Sequence, residues 1–261
     1  MAHLKLKGFV IRVVAVGESD RIVTILTEEY GLISVSVRGA RRTRSPHLLT
    51  TQIFSFSDFE LFCSKNRYSL QSSELVEPFM ALQQDLDRLV CASHFAEVMV
   101  DSLRDDLAQP RLYRLWAYSM QALSRREDPL LTVHVAQLRL LMEIGFAPSL
   151  DHCVSCGCPL TDMLSGSALF SVTGGGLVCE KPACRERLND ARPLPAGAIV
   201  CLVHIRQADW PNLFSFTLEE NLRRFIMELS GAYLTHQMEK AYTRLDMLRS
   251  LAAAEGKPQE N

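Results

Sequence analysis

Cys153-Val-Ser-Cys156-Gly-Cys158, followed after twenty residues by Cys179-Glu-Lys-Pro-Ala-Cys184, carries five of the chain's eight cysteines. Two cysteines separated by two residues put both sulfurs on one side of a tight turn. A second pair about twenty residues on can complete a tetrahedral four-thiolate site. The intervening segment lacks long apolar runs, and Gly174-Gly175-Gly176 marks a turn that returns the chain toward the first pair. A metal then replaces a core too small to form. We take Cys153, Cys156, Cys179 and Cys184 as ligands of one structural zinc. The four-residue gap in the second pair leaves Cys158 and His152 open as substitutes. The chain shows no secretion signal, so a reducing compartment is expected, where clustered cysteines mean metal more often than disulfide. Four thiolates leave no open position for water or substrate, so the zinc predicts stability rather than chemistry.

Outward from this module, 261 residues with 48% hydrophobic and 22% charged content suit a soluble globular protein of about two domains plus a metal-held insert. No stretch approaches the length of a membrane span, and the start lacks a cleavage signature, so a cytoplasmic protein is expected. Net charge is only −2. Its distribution says more: residues 1–80 hold ten Lys/Arg against eight Asp/Glu, and Arg38, Arg41, Arg42 and Arg44 fall within seven residues with no acid among them.

From Gly8 to Val76 short β-branched and aromatic runs alternate with turn residues. Strands are predicted at Phe9–Val16, Arg21–Thr27, Leu32–Arg38, Ile53–Cys63 and Ser69–Val76, with a hairpin at Glu29-Tyr30-Gly31 and a polar loop over Gly39–His47. Five short strands in about seventy residues predict an OB-fold barrel, with an SH3-like barrel as the competitor. After Pro78 the period becomes helical. Helices are expected at Leu82–Leu103, Arg111–Leu123, from Pro129 to Gly145, from Pro195 through His204, after a Thr217-x-x-Glu220 capping box, and over Tyr233–Leu251. The expected organisation is α+β and multidomain: an N-terminal five-stranded OB-fold barrel (1–79), a helical domain (80–149 and 193–252) with the four-cysteine zinc module inserted (150–192), and a disordered tail (253–261).

An arginine-rich loop at the end of a barrel strand can reach backbone phosphates while the barrel holds it in place. Arg38, Arg41, Arg42 and Arg44 are therefore the candidate DNA-binding residues. Phe54, Phe56, Phe59 and Phe62 could include a base-stacking residue, but core packing is expected for most of them, since odd and even positions cannot all face one side. Cys63, Cys91 and Cys201 read as buried small hydrophobes. The chain has no G-x-x-x-x-G-K-[ST], H-E-x-x-H, G-x-S-x-G or zinc-deaminase pattern, so no enzyme is expected.

Fragments spread over nearly the whole chain resemble the bacterial RecO recombination mediators. They are Gly17-Glu18-Ser19-Asp20, Arg38-Gly39-Ala40-Arg41-Arg42, Gly145-Phe146-Ala147-Pro148, Phe170-Ser171 before Gly174-Gly175, Leu194-Pro195-x-Gly197-Ala198 and Leu248-Arg249-Ser250-Leu251. The resemblance implies binding of single- and double-stranded DNA, annealing, and loading of RecA with RecR onto strands coated by single-stranded DNA-binding protein. It also implies a nucleoid-associated cytoplasmic location and no membrane. Arg38, Arg41 and Arg42 match the family's basic motif, with Arg44 extending it, and Cys153, Cys156 and Cys179 match its metal positions, Cys184 approximately. Docking of the coating protein's acidic, apolar-ended tail is expected beside Arg111, Arg114 or Arg139. An RNA-binding or ribosome-associated adaptor is the alternative.

Overall fold

The computed structural model describes residues 2–65, 67–103, 107–163, 168–248 and 250. The expected tail, 253–261, lies outside them. The described residues divide into two compact units, those up to 129 with those from 244 on, and those from 130 to 243.

In the first unit β1 (Ala2–Val16), β2 (Asp20–Thr27), β3 (Gly31–Val37), β4 (Phe56–Ser64) and β5 (Arg67–Glu77) close a barrel in the order β1-β2-β3-β5-β4. Closure runs through a parallel β3–β5 pair, with Val35 opposite Tyr68 and Ser36 opposite Ser69, and through β4 against the first half of β1. This is the OB-fold. Leu6, Val10, Val23, Ile25, Ile33, Val35, Val37, Ala40, Phe59 and Leu61 fill it. In β3 the inward residues Ile33, Val35 and Val37 alternate with exposed Ser34 and Ser36, the period expected of a half-buried strand. β1 serves two neighbours, and it passes from one to the other at Gly8–Phe9. A Cβ on Gly8 would stand 2.4 Å from Ile25 Cγ2 and 2.8 Å from the Leu26 carbonyl oxygen, so only glycine fits where the strand bends.

The fourth strand starts at Phe56 rather than Ile53. The preceding residues form turns closed by Thr51 N–H to His47 O (3.1 Å) and Ser55 N–H to Gln52 O (3.2 Å). Phe54 takes φ +70°, a left-handed conformation costing about 1 kcal/mol. Its fully buried ring, 6.4 Å from Trp116, offsets that cost. The predicted helix over Leu82–Leu103 is two helices, α1 (Met80–Gln84) and α2 (Leu86–Ser102). Asp85 between them is extended and accepts a hydrogen bond from Arg88 N–H at 2.9 Å, capping α2. With α3 (Pro110–Arg125) these helices bury Trp116, whose indole stacks on Phe95 at 5.7 Å.

The second unit is built on α4 (Pro129–Glu143), whose residues Leu131 to Leu141 are all buried. Two buried polar groups tie it to the helix over Glu220–Met238: Gln137 donates to Ser230 (2.6 Å), and Ser230 donates to the His134 carbonyl (2.9 Å). α5 (Leu160–Met163), β6 (Leu169–Ser171), β7 (Gly176–Val178), α6 (Pro182–Arg187) and β8 (Arg192–Pro193) form the cysteine module. α7 (Ala198–Gln207) and α8 (Glu220–Met238) follow. α7 starts three residues after Pro195. Thr217 does not cap α8, whose N-cap is Glu219, and α8 ends at Met238 with Glu239 in the left-handed region. Among the described residues no helix is long and apolar enough to cross a membrane.

Candidate nucleic-acid interface and metal centre

Arg38 leaves the barrel at the end of β3, and the next residues turn back under hydrogen-bond control. Gly39 N–H donates to Asp20 Oδ1 (2.8 Å), Arg41 N–H to Ser19 O (2.9 Å), Arg42 N–H to Gly39 O (3.1 Å) and Ser45 N–H to Arg42 O (2.9 Å). Gly39 sits at φ +64° and Ala40 is fully buried in the barrel. The loop is thus anchored through its backbone, leaving the side chains of Arg38, Arg41, Arg42 and Arg44 exposed. Arg41 also donates to Gly17 O at 3.1 Å. The two sequence fragments that flank this contact, Gly17 to Asp20 and Arg38 to Arg42, are one structural unit. Asp20 is the anchor that sequence reasoning did not single out. Gly39 N–H, the Ser19 hydroxyl and the charges of Arg38 and Arg42 outweigh desolvation and hold its carboxyl below the ordinary range, so it stays ionised.

In the cysteine module a tight loop is set by Cys153 N–H to Cys158 O and Gly157 N–H to Cys153 O, both 2.8 Å, with Gly157 at φ +73°. The β7 strand is tied to this loop by Val154 N–H to Leu177 O (2.8 Å). A Cβ on Gly176 would meet Ser149 O at 2.5 Å, so that crossing needs glycine. The ligand atoms of Cys153, Cys156, Cys158 and Cys179 lie within 4.8 Å of one another. Cys156 Sγ and Cys179 Sγ are 3.6 Å apart, and Cys179 N–H points at Cys153 Sγ (3.3 Å). Four sulfurs about 2.3 Å from one tetrahedral ion would be separated by about 3.8 Å, so the donor set fits zinc.

Of the expected ligands, Cys153, Cys156 and Cys179 belong to this group, and Cys158 joins them. Cys184, at the start of α6, is buried and interacts with the thiols of Cys156 and Cys179 as a fifth sulfur. His152 is exposed beside Ser149 and is not among the four. The Cys158 backbone and thiol, with the Cys179 and Cys184 thiols, pull the Cys156 thiol down to about 6 against a smaller desolvation effect, which favours the thiolate a metal requires. Asp190 braces the β6–β7 turn by accepting from the Ser171 hydroxyl (2.7 Å), Thr173 N–H (3.0 Å) and the Thr173 hydroxyl (2.7 Å).

Other expected sites resolve differently. Arg139 is buried and committed: it donates to Glu143 (2.8 Å) and to the carbonyls of Ile205 (2.8 Å) and Ala208 (2.9 Å), and it lies over the Trp210 ring. A guanidinium spent on capping α7 is not available to an incoming tail. Arg114 is exposed and pairs with Glu28 at 3.5 Å, and Arg111 is exposed. Cys91 and Cys201 are buried, as expected, whereas Cys63 is only half-buried.

The family model described as Recombination protein O N terminal matches residues 1–79, the barrel, and that described as Recombination protein O C terminal matches residues 83–246. A DNA repair protein RecO of Acetivibrio thermocellus is 35% identical over 252 residues, covering 96% of this chain and 98% of its own. One from Symbiobacterium thermophilum is 30% identical over 255 residues, 97% of this chain and 100% of its own. An OB-fold barrel, a cysteine cluster fit for a metal and matches over both halves agree, and the chain belongs to the RecO family of DNA repair proteins.

Proposed function

We propose that the protein is a recombination mediator. It binds single- and double-stranded DNA through Arg38, Arg41, Arg42 and Arg44, anneals complementary strands and, with RecR, assists RecA loading onto strands coated by single-stranded DNA-binding protein, in the cytoplasm at the nucleoid. The observation that carries this reading is the loop itself, anchored to the barrel through its backbone and presenting four exposed guanidinium groups. Guanidinium forks suit phosphate oxygens. Phosphate contacts position a strand without reading its sequence, which a protein that pairs arbitrary complements requires. Annealing makes no covalent bond to protein: the loop neutralises two polyanions, and the bases do the pairing.

Cys153, Cys156 and Cys179, with Cys158 or Cys184, would hold zinc, whose contribution there is structural. For the acidic, apolar-ended tail of the coating protein, Arg111 and Arg114 remain exposed candidates.

The test is annealing of complementary strands coated with the cognate single-stranded DNA-binding protein. Wild type should accelerate duplex formation, and the quadruple Arg38/Arg41/Arg42/Arg44→Ala variant should not, while keeping its fold. No acceleration by wild type, together with tighter binding of RNA than of DNA, would replace this reading with the RNA adaptor.

A further inference from the structure

The four phenylalanines between positions 54 and 62 have separate fates. Phe54 and Phe59 are buried, and Phe56 is stacked against Phe9 at 4.5 Å. Phe62 is only half-buried and sits on the outer face of the barrel. It belongs to one cross-strand row: His3 of β1 pairs with Phe62 of β4, Phe62 with Ser69 of β5, and Ser69 with Ser36 of β3. The His3 ring meets the Phe62 ring edge-on, with centroids 5.8 Å apart and planes at 76°. The two serines are small, and they leave a trough beside the phenyl ring. The resulting cavity is about 500 Å³ and is lined by Ser36, Phe62, Lys65, Arg67, Tyr68 and Ser69.

Charge around this trough has one sign at its mouth. Lys65 and Arg67 are exposed there. The nearest acid on the same face of β4, Glu60, is neutralised by Lys5 at 3.5 Å and accepts from the Ser72 hydroxyl at 2.9 Å. Arg38 lies in the turn that follows β3, two residues past the exposed Ser36 and so within about 7 Å of it along the chain. One strand can therefore touch both the arginine loop and the trough. Every nucleobase has a π face, so an aromatic wall with flanking cations suits single strands of any sequence.

We propose that this cavity receives one unstacked base of a single strand, stacked on Phe62, with Lys65 and Arg67 on its flanking phosphates. Double-stranded DNA, with its bases already stacked, gains nothing from it. The assignment deepens the reading of the loop as a phosphate-binding element and rests on it for the path of the strand.

The test measures affinity for a thirty-residue oligothymidylate and for an abasic strand of the same length. Phe62→Leu keeps an apolar side chain against His3 and guards against misfolding, which a thermal melt checks. Phe62→Leu and Phe62→Ala should each weaken oligothymidylate binding about tenfold, leave the abasic strand and the salt slope unchanged, and be rescued by Phe62→Trp. A Lys65→Ala/Arg67→Ala double variant should flatten the salt slope by about 1.4 on both strands. Wild-type affinity of Phe62→Leu for oligothymidylate, or an equal loss on the abasic strand, overturns the base site. If the four-arginine variant keeps its salt slope while Phe62→Leu still discriminates the two strands, the base site stands and the loop assignment falls.

Discussion

The barrel's strands are seven to fifteen residues long and enclose ten buried side chains, whereas those of the cysteine module are two or three residues long and converge on thiols. Burying one aliphatic or aromatic side chain stabilises by about 1.5–3 kcal/mol, so the barrel can hold its own shape. The module has a few buried side chains, among them Leu150, Met163, Leu169, Phe170, Leu177 and Val178. Zinc in small metal-held folds contributes about 10–16 kcal/mol. A surface mounted on the barrel should therefore be insensitive to metal, and the module should not.

Removing the metal tests that contrast hardest. Cys153→Ser or Cys179→Ser should abolish zinc binding, measured by metal analysis, and expose residues 150–192 to proteolysis while the barrel stays protease-resistant. Cys158→Ser and Cys184→Ser sharpen the ligand set, because the one that keeps a full equivalent of zinc is the spectator. Loss of the barrel along with the metal would break the comparison.

A smaller effect is expected at Asp190. Desolvation raises its carboxyl pKa, but hydrogen bonds from the Ser171 hydroxyl, Thr173 and Val172 outweigh it and leave the group below its ordinary value of 3.8. A carboxyl depressed on folding contributes stability that is present above about pH 4 and is lost as pH falls through the folded value. Asp190→Asn should cost about 1 kcal/mol at neutral pH by thermal melting. The gap to wild type should narrow below about pH 4. A gap independent of pH would mean that the charge is not what braces the turn.

Much of this was legible in the sequence because the relevant signals were local. Ile33, Val35 and Val37 alternate with serines, so β3 could be read directly, and the arginine run marked the loop after it. The spacing of Cys153 and Cys156 likewise announced a turn with paired sulfurs. What escaped depended on distant partners. Asp85 interrupts an apolar period that continues on both sides of it, so α1 and α2 read as one helix until its cap is seen. Ile53 and Phe54 read as the start of a strand because their β propensity hid a left-handed turn at Phe54, whose N–H is held by the distant Val10 carbonyl at 2.7 Å. Arg139 resembled a surface cation because its partners, the carbonyls of Ile205 and Ala208, lie more than sixty residues away. The choice between Cys158 and Cys184 depends on how the loop between the cysteines folds back, which spacing alone leaves open.

The measurement that bears most directly on the central claim is the salt dependence of single-strand binding by wild type and by the Arg38/Arg41/Arg42/Arg44→Ala variant. Each phosphate neutralised on a single strand adds about 0.7 to the slope of log affinity against log salt, so the four arginines should account for about 2.8. The account predicts a slope flatter by about that amount in the variant, with binding weakened equally across sequences and zinc content unchanged. A folded, zinc-replete variant with the wild-type slope would contradict it and move the phosphate contacts elsewhere, with Lys5, Lys7 and Arg12 next in line.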